Sequence, residues 1–237
     1  MTKKIKIDNA ILKRLQYRIP KRKERVVNCS ILIVCEGEKT EPNYFKAFNK
    51  ARIGTIVYDL TIDGGGINTI QVVDKAIELR DRSSIEYDSV WAVFDRDSFS
   101  PTRFNGAINR AQSNNIDCAW SNEAFELWYL LHFHNRVTAM NRNEYKRAIS
   151  NAVNNSLIGK RKKKDYVYSK NDPCNYNIMT QFGSQDNAIK WAEALHRECI
   201  DNRFHKYNPC TTVYKLVLQL VGKDEEFNSK LAAKIDR

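Results

Sequence analysis

Three acidic residues stand where chain chemistry is most easily assembled: Glu36 follows the apolar run from Val26 to Cys35, and Asp95 and Asp97 follow a second run from Asp88 to Phe94. Carboxylates gathered at one rim repel each other unless a cation or protons neutralise them. A hard divalent ion of the Mg²⁺ kind, with Mn²⁺ as the alternative, is the natural partner. The Asp-x-Asp spacing past a strand end lets both side chains face one ion, and such a site can activate water and steady a phosphate. The plainer readings are that the aspartates cap a turn and that Glu36 binds the N-terminus of the next helix. Glu126, between Phe125 and Leu127 in an apolar helical pattern, needs a partner once buried: a metal ion, Lys39 or an arginine. Lys39, one turn past Glu36, could offset phosphate charge or be an ordinary surface lysine. His132, on the same apolar face, reads as a core residue.

Alternation of strands and helices must position these groups. Val26 to Cys35 reads as a strand buried on both faces, and Lys39 to Arg52 as a helix with Thr40 as N-cap. Val57 to Ile62 predicts a strand, Gly64-Gly65-Gly66 a break, and Asn68 to Arg82 a helix. Asp88 to Phe94 is the third strand, Thr102 to Asn114 a helix, Ile116 to Trp120 a fourth strand, and Glu123 to Phe133 a strongly apolar helix. The expectation is a mainly parallel four-stranded α/β sheet covered by helices. In such sheets the functional crevice lies off the carboxyl ends of the strands. Helical patterns at Asn143 to Asn154, Gln185 to Asn202, Thr211 to Val221 and Glu226 to Ile235 predict a helical C-terminal addition. The implied organisation is an arm at 1–27, a catalytic α/β region at 28–135 and a helical region at 136–237.

The chain has 237 residues and a formal net charge of +11. Residues 1–27 hold ten Lys/Arg against Asp8 and Glu24, which accounts for +8 of it. Lys21, Arg22 and Lys23 in that arm, and the knot Lys160, Arg161, Lys162, Lys163 and Lys164, are candidate phosphate-gripping groups; a solvated tail and loop are the bland alternative. Six cysteines without a C-x-x-C pair argue for buried thiols in a reducing compartment and against zinc. No run reaches the roughly 18 apolar residues of a membrane helix, and no signal-peptide pattern opens the chain, so a cytoplasmic protein without membrane contact is expected.

The block Val34-Cys35-Glu36-Gly37-Glu38-Lys39-Thr40-Glu41-Pro42-x-Tyr44-Phe45 is followed by Phe94-Asp95-Arg96-Asp97. Ser121-Asn122-x-x-Phe125-Glu126-Leu127-Trp128-x-Leu130-Leu131-His132-Phe133 and Pro209-x-Thr211-Thr212 come next. Together these resemble the RloB family, related to AbiL abortive-infection components, over about residues 28 to 220. The resemblance implies a Toprim fold and a Mg²⁺-dependent nuclease in anti-phage defence, working beside an ATPase partner of AAA or ABC type. It also implies that Glu36 is the Toprim glutamate and that Asp95 and Asp97 are its metal-binding aspartates. The basic arm and knot lie outside its motifs.

The expected reaction is phosphodiester hydrolysis in RNA such as tRNA, or in DNA. Asp95, Asp97 and Glu126 would hold metal, and Glu36 would complete the shell or act as general base. The rivals are a non-catalytic sensor or adaptor binding nucleic acid or the ATPase, and a primase-like nucleotidyl transferase. A homodimer is the other assembly considered.

Overall fold

The computed structural model describes residues 26–97, 99–157 and 165–235. The arm residues Lys21, Arg22 and Lys23 and the knot from Lys160 to Lys164 lie outside them. The described chain is mixed α/β: a six-stranded sheet in the order β2-β3-β1-β4-β5-β6, flanked by helices. Strand β1 (Val27–Cys35) pairs in parallel with β3 (Ile56–Gly64) on one side and β4 (Ser89–Asp95) on the other, and β4 pairs in parallel with β5 (Asp117–Asn122). The two further strands, beyond the four expected, are β2 (Arg52–Ile53), antiparallel to β3, and β6 (Cys210–Thr211), antiparallel to β5. Both have two residues, too few for any alternation to be legible in sequence.

β1 is central because its side chains are apolar on both faces. Ile31, Ile33 and Cys35 point into one hydrophobic cluster, Leu32 and Val34 into the other. Helices α2 (Thr69–Arg82) and α3 (Pro101–Ser113), which link β3 to β4 and β4 to β5, cover the second cluster with Val72, Val73, Phe104 and Ile108. Their starts are set by local chemistry: Asn68 and Gln71 form a reciprocal capping box, and Ser100 caps α3 ahead of Pro101.

The first cluster is covered by α1 (Thr40–Lys46), α4 (Glu126–Leu130) and the later helices α5 (Tyr145–Ser156), α6 (Asn175–Phe182), α7 (Gln185–Arg197), α8 (Val213–Leu220) and α9 (Glu225–Ile235). Tyr145, Ile149, Val213 and Leu231 share that cluster with Ile31 and Ile33 of β1. The residues beyond 136 and the sheet therefore bury their apolar surface together.

Several boundaries differ from expectation. α1 stops at Lys46, where the chain turns through Lys50 at φ 59°, and Thr40 is its first helical residue while Lys39 occupies the cap position. α4 has only five residues of the eleven its apolar pattern suggested, because that pattern records burial rather than helix length. α6 was not anticipated, and Thr211 belongs to β6. Among the described residues no cysteine is paired, and Cys29, Cys35 and Cys210 are buried as expected while Cys174 is exposed. No helix among the described residues is long and apolar enough to cross a membrane.

Candidate active site

The connections of this sheet set a switch point at the carboxyl ends of β1 and β4. From β1 the chain crosses to β3 over the first face, and from β4 it crosses to β5 over the second, so the winding reverses between β1 and β4. Off the carboxyl ends of strands at such a reversal, loops part and leave room for a ligand. The strands end level: Cys35 is opposite Val93, and Asp95 opposite Ser121.

Glu36 and Asp95 meet in that crevice. The Glu36 N–H donates to the Val93 carbonyl at 2.9 Å, and its carboxylate Oε2 accepts the Asp95 N–H at 2.9 Å. Burial pushes the Glu36 carboxyl up to about 7, against the lowering effect of the Asp95 hydrogen bond and with further upward pressure from Glu41 and Asp97. Asp95, the buried last residue of β4, is raised well above the carboxylate range by desolvation and then by the charges of Glu41, Glu126 and Glu36.

Asp97 is reached two residues later through a left-handed backbone at φ 44°, a conformation aspartate tolerates better than most residues. Its N–H donates to the Glu123 carbonyl at 3.2 Å, while its half-exposed carboxylate is ion-paired with Arg142. Glu126, at the start of α4, is only 6% exposed. Its Oε1 accepts the Tyr168 hydroxyl at 3.3 Å and lies 3.9 Å from Lys170 Nζ, and its buried Oε2 has no hydrogen-bond partner. The four carboxylates singled out in the sequence thus converge. Lys39 is exposed. His132 is a core residue, its Nδ1 2.9 Å from the Trp128 carbonyl and its pKa pushed down to about 4 by burial.

Sequence reasoning missed Glu41, the fifth carboxylate. It sits in the first turn of α1, 3% exposed, with Oε2 buried and lacking a hydrogen-bond partner, and desolvation raises its pKa despite the opposing pull of Lys170 and Arg142. It read as an ordinary acidic residue at a helix start; its one distinguishing signal is the preceding glycine turn. Gly37 makes room for it: a Cβ there would lie 2.2 Å from Glu41 Oε2. Arg142 and Lys170 were missed as well, since each falls in a polar stretch like any other.

Among the described residues no three His, Cys, Asp or Glu side chains are arranged to hold a metal ion as they stand. Glu36 is turned to a backbone N–H, Asp97 to Arg142 and Glu126 to Tyr168. The donor set nevertheless suits a hard cation. Its donors are all carboxylate oxygens, two of them buried without a partner.

Among known proteins, the RloB-like protein family matches residues 31–220. No curated protein and no solved structure gives a significant match. The match spans β1 through α8 and includes every carboxylate of the crevice, so this chain belongs to the RloB-like family.

Proposed function

We propose that the chain is a Mg²⁺-dependent nuclease on a Toprim-like scaffold, hydrolysing phosphodiester bonds in RNA or DNA. The observation that carries this reading is the cluster of buried Glu41, Asp95 and Glu126, with half-buried Glu36 and half-exposed Asp97 beside them, at the reversal point of a mainly parallel sheet. Crowding these carboxyl groups out of water is costly; protons offset the cost in the metal-free fold, in keeping with the raised pKa values of Glu36, Glu41 and Asp95, and a bound divalent cation would take their place.

Asp95, Asp97, Glu126 and Glu41 are the residues that would hold Mg²⁺, with Mn²⁺ as substitute. When bound, the ion would lower the pKa of water and offset charge on the phosphoryl oxygens. Glu36, with a carboxyl near 7, suits a general base at physiological pH. It takes a proton from the attacking water as the new P–O bond forms, and the departing oxygen of the broken P–O bond is protonated from solvent. Burial in the crevice keeps the carboxylates aligned and strengthens their electrostatic effect. A role in anti-phage abortive infection with an ATPase partner belongs to this proposal through family membership, and a homodimer is the further assembly it includes.

A second reading, a non-catalytic adaptor binding nucleic acid or the ATPase, draws on the Arg142–Asp97 ion pair, which engages one of the proposed metal ligands. Incubation of the protein with Mg²⁺ and both RNA and duplex DNA, alone and with its cognate ATPase, separates the two. Cleavage that is lost in Asp95→Asn is expected. Intact substrates under every condition would overturn the nuclease reading in favour of the adaptor.

A further inference from the structure

Two cations lean over the crevice from the segment after residue 136. The side chain of Arg142 is 36% exposed and pairs with Asp97; that of Lys170 is 44% exposed and approaches Glu126. Both are anchored through the backbone. Arg142 opens the 3₁₀ turn Arg142–Glu144, fixed by Asn141, whose Oδ1 accepts the Asn143 N–H at 3.0 Å and whose N–H donates to Glu144 Oε2 at 2.9 Å. The Lys170 carbonyl accepts the hydroxyl of Thr40 at 3.2 Å, which ties it to the helix carrying Glu41. The neighbouring Ser169 carbonyl accepts Asn175 Nδ2 at 2.9 Å. The heads of both side chains therefore reach solvent at the mouth of the crevice while their bases are held in place.

We infer that Arg142 and Lys170 grip the scissile phosphodiester of a nucleic-acid strand, and that the carboxylates occupy them only until a divalent cation claims Asp97 and Glu126. This rests on the nuclease reading above. The physical argument is one of exchange. A hard cation outcompetes a guanidinium for carboxylate oxygens at short range, and the displaced guanidinium and ammonium stay tethered within side-chain reach. A phosphate then restores the negative charge they have lost. Arginine presents a planar fork that matches two non-bridging oxygens, and lysine a mobile point charge, a complementary pair for one phosphate.

The test uses the full chain as wild type and as Arg142→Gln, Arg142→Lys and Lys170→Gln, with Lys230→Gln on α9 as a remote control. Mn²⁺ affinity is measured by calorimetry. Binding of a fluorescent single-stranded oligonucleotide, RNA or DNA, is measured by anisotropy in Ca²⁺. The inference expects R142Q to bind Mn²⁺ at least as tightly as wild type, because a competitor is gone. It expects oligonucleotide affinity to drop about tenfold in R142Q and K170Q, as for a lost charge-assisted hydrogen bond, with part of it returning in R142K and none lost in K230Q. In Mg²⁺ turnover, kcat for R142Q falls by about a hundredfold while KM moves less. Wild-type Mn²⁺ binding combined with unchanged oligonucleotide affinity in R142Q and K170Q overturns this inference and leaves the metal site standing. Weaker Mn²⁺ binding in R142Q also overturns it, by assigning the arginine a structural role. Failure of the wild-type chain to bind Mn²⁺ overturns both this inference and the nuclease reading.

Discussion

The Glu36 carboxyl is pushed up to about 7 because exclusion of water from it outweighs the backbone N–H that Asp95 aims at it. A carboxyl that binds its proton more tightly in the fold than in the unfolded chain stabilises the fold at low pH. The unfolded chain releases that proton through the ordinary value of 4.5 and the fold only at about 7, so stability falls as pH climbs between them and the deficit is complete above 7. Asp95 and Glu41 push the same way. Thermal melts in chelator are therefore expected to give a Tm several degrees lower at pH 8 than at pH 5.5, with Mg²⁺ restoring most of the loss at pH 8. A Tm that rises with pH in chelator would contradict this account. Activity should run opposite to stability, rising through about pH 7 as Glu36 becomes an available base, and Glu36→Gln should flatten that limb of the pH–rate profile and cut kcat by about a hundredfold or more. Gly37→Ala tests Glu41 without touching a carboxylate. The added methyl would displace Glu41 Oε2, so metal affinity is expected to drop about tenfold while the melting temperature in chelator changes little or rises as crowded charge is relieved. Undiminished Mn²⁺ binding by G37A would exclude Glu41 from the site.

Strands β1 and β4 bring Glu36 and Asp95 to one level, and their pairing depends on cores on both faces. Ile33→Ala opens one core and Leu32→Ala the other; each is expected to cost about 2–5 kcal/mol by denaturant unfolding. A near-neutral result for either would mean that its face packs loosely. Much of this level was readable from residues. The continuous apolar run of β1 announced a strand buried on both sides, and the alternating pattern after it announced parallel crossovers, so the strand ends carrying Glu36, Asp95 and Asp97 were located before any coordinates. The two-residue strands β2 and β6 were not, because pairing there is dictated by neighbours rather than by sequence period. Helix lengths failed at α1 and α4 for a related reason. Tyr44, Phe45, Leu127 and Trp128 are apolar because tertiary burial requires it, and burial continues past the last helical turn. Glu126 was flagged by its incongruous charge on an apolar face. Glu41 was not, since an acidic residue in a first helical turn has an ordinary explanation, and Arg142 and Lys170 come into contact with the site only through long-range packing that no local pattern encodes.

Across the whole molecule, the helices beyond residue 136 close the first hydrophobic face, and the segments between them deliver two cations and Tyr168 to the acidic site. Family membership over residues 31–220 runs through both portions, in keeping with a site that needs each of them. The central claim is that Glu41 of α1, Asp95 at the end of β4, Asp97 just after it and Glu126 of α4 share one hard cation. Crystals grown with Mn²⁺ and examined by anomalous diffraction test it most directly. The account predicts a peak about 2.0–2.3 Å from oxygens of Asp95 and at least two of Glu41, Asp97 and Glu126, with Arg142 swung away from Asp97. An empty crevice, with Asp97 still paired to Arg142 at saturating Mn²⁺, would contradict it.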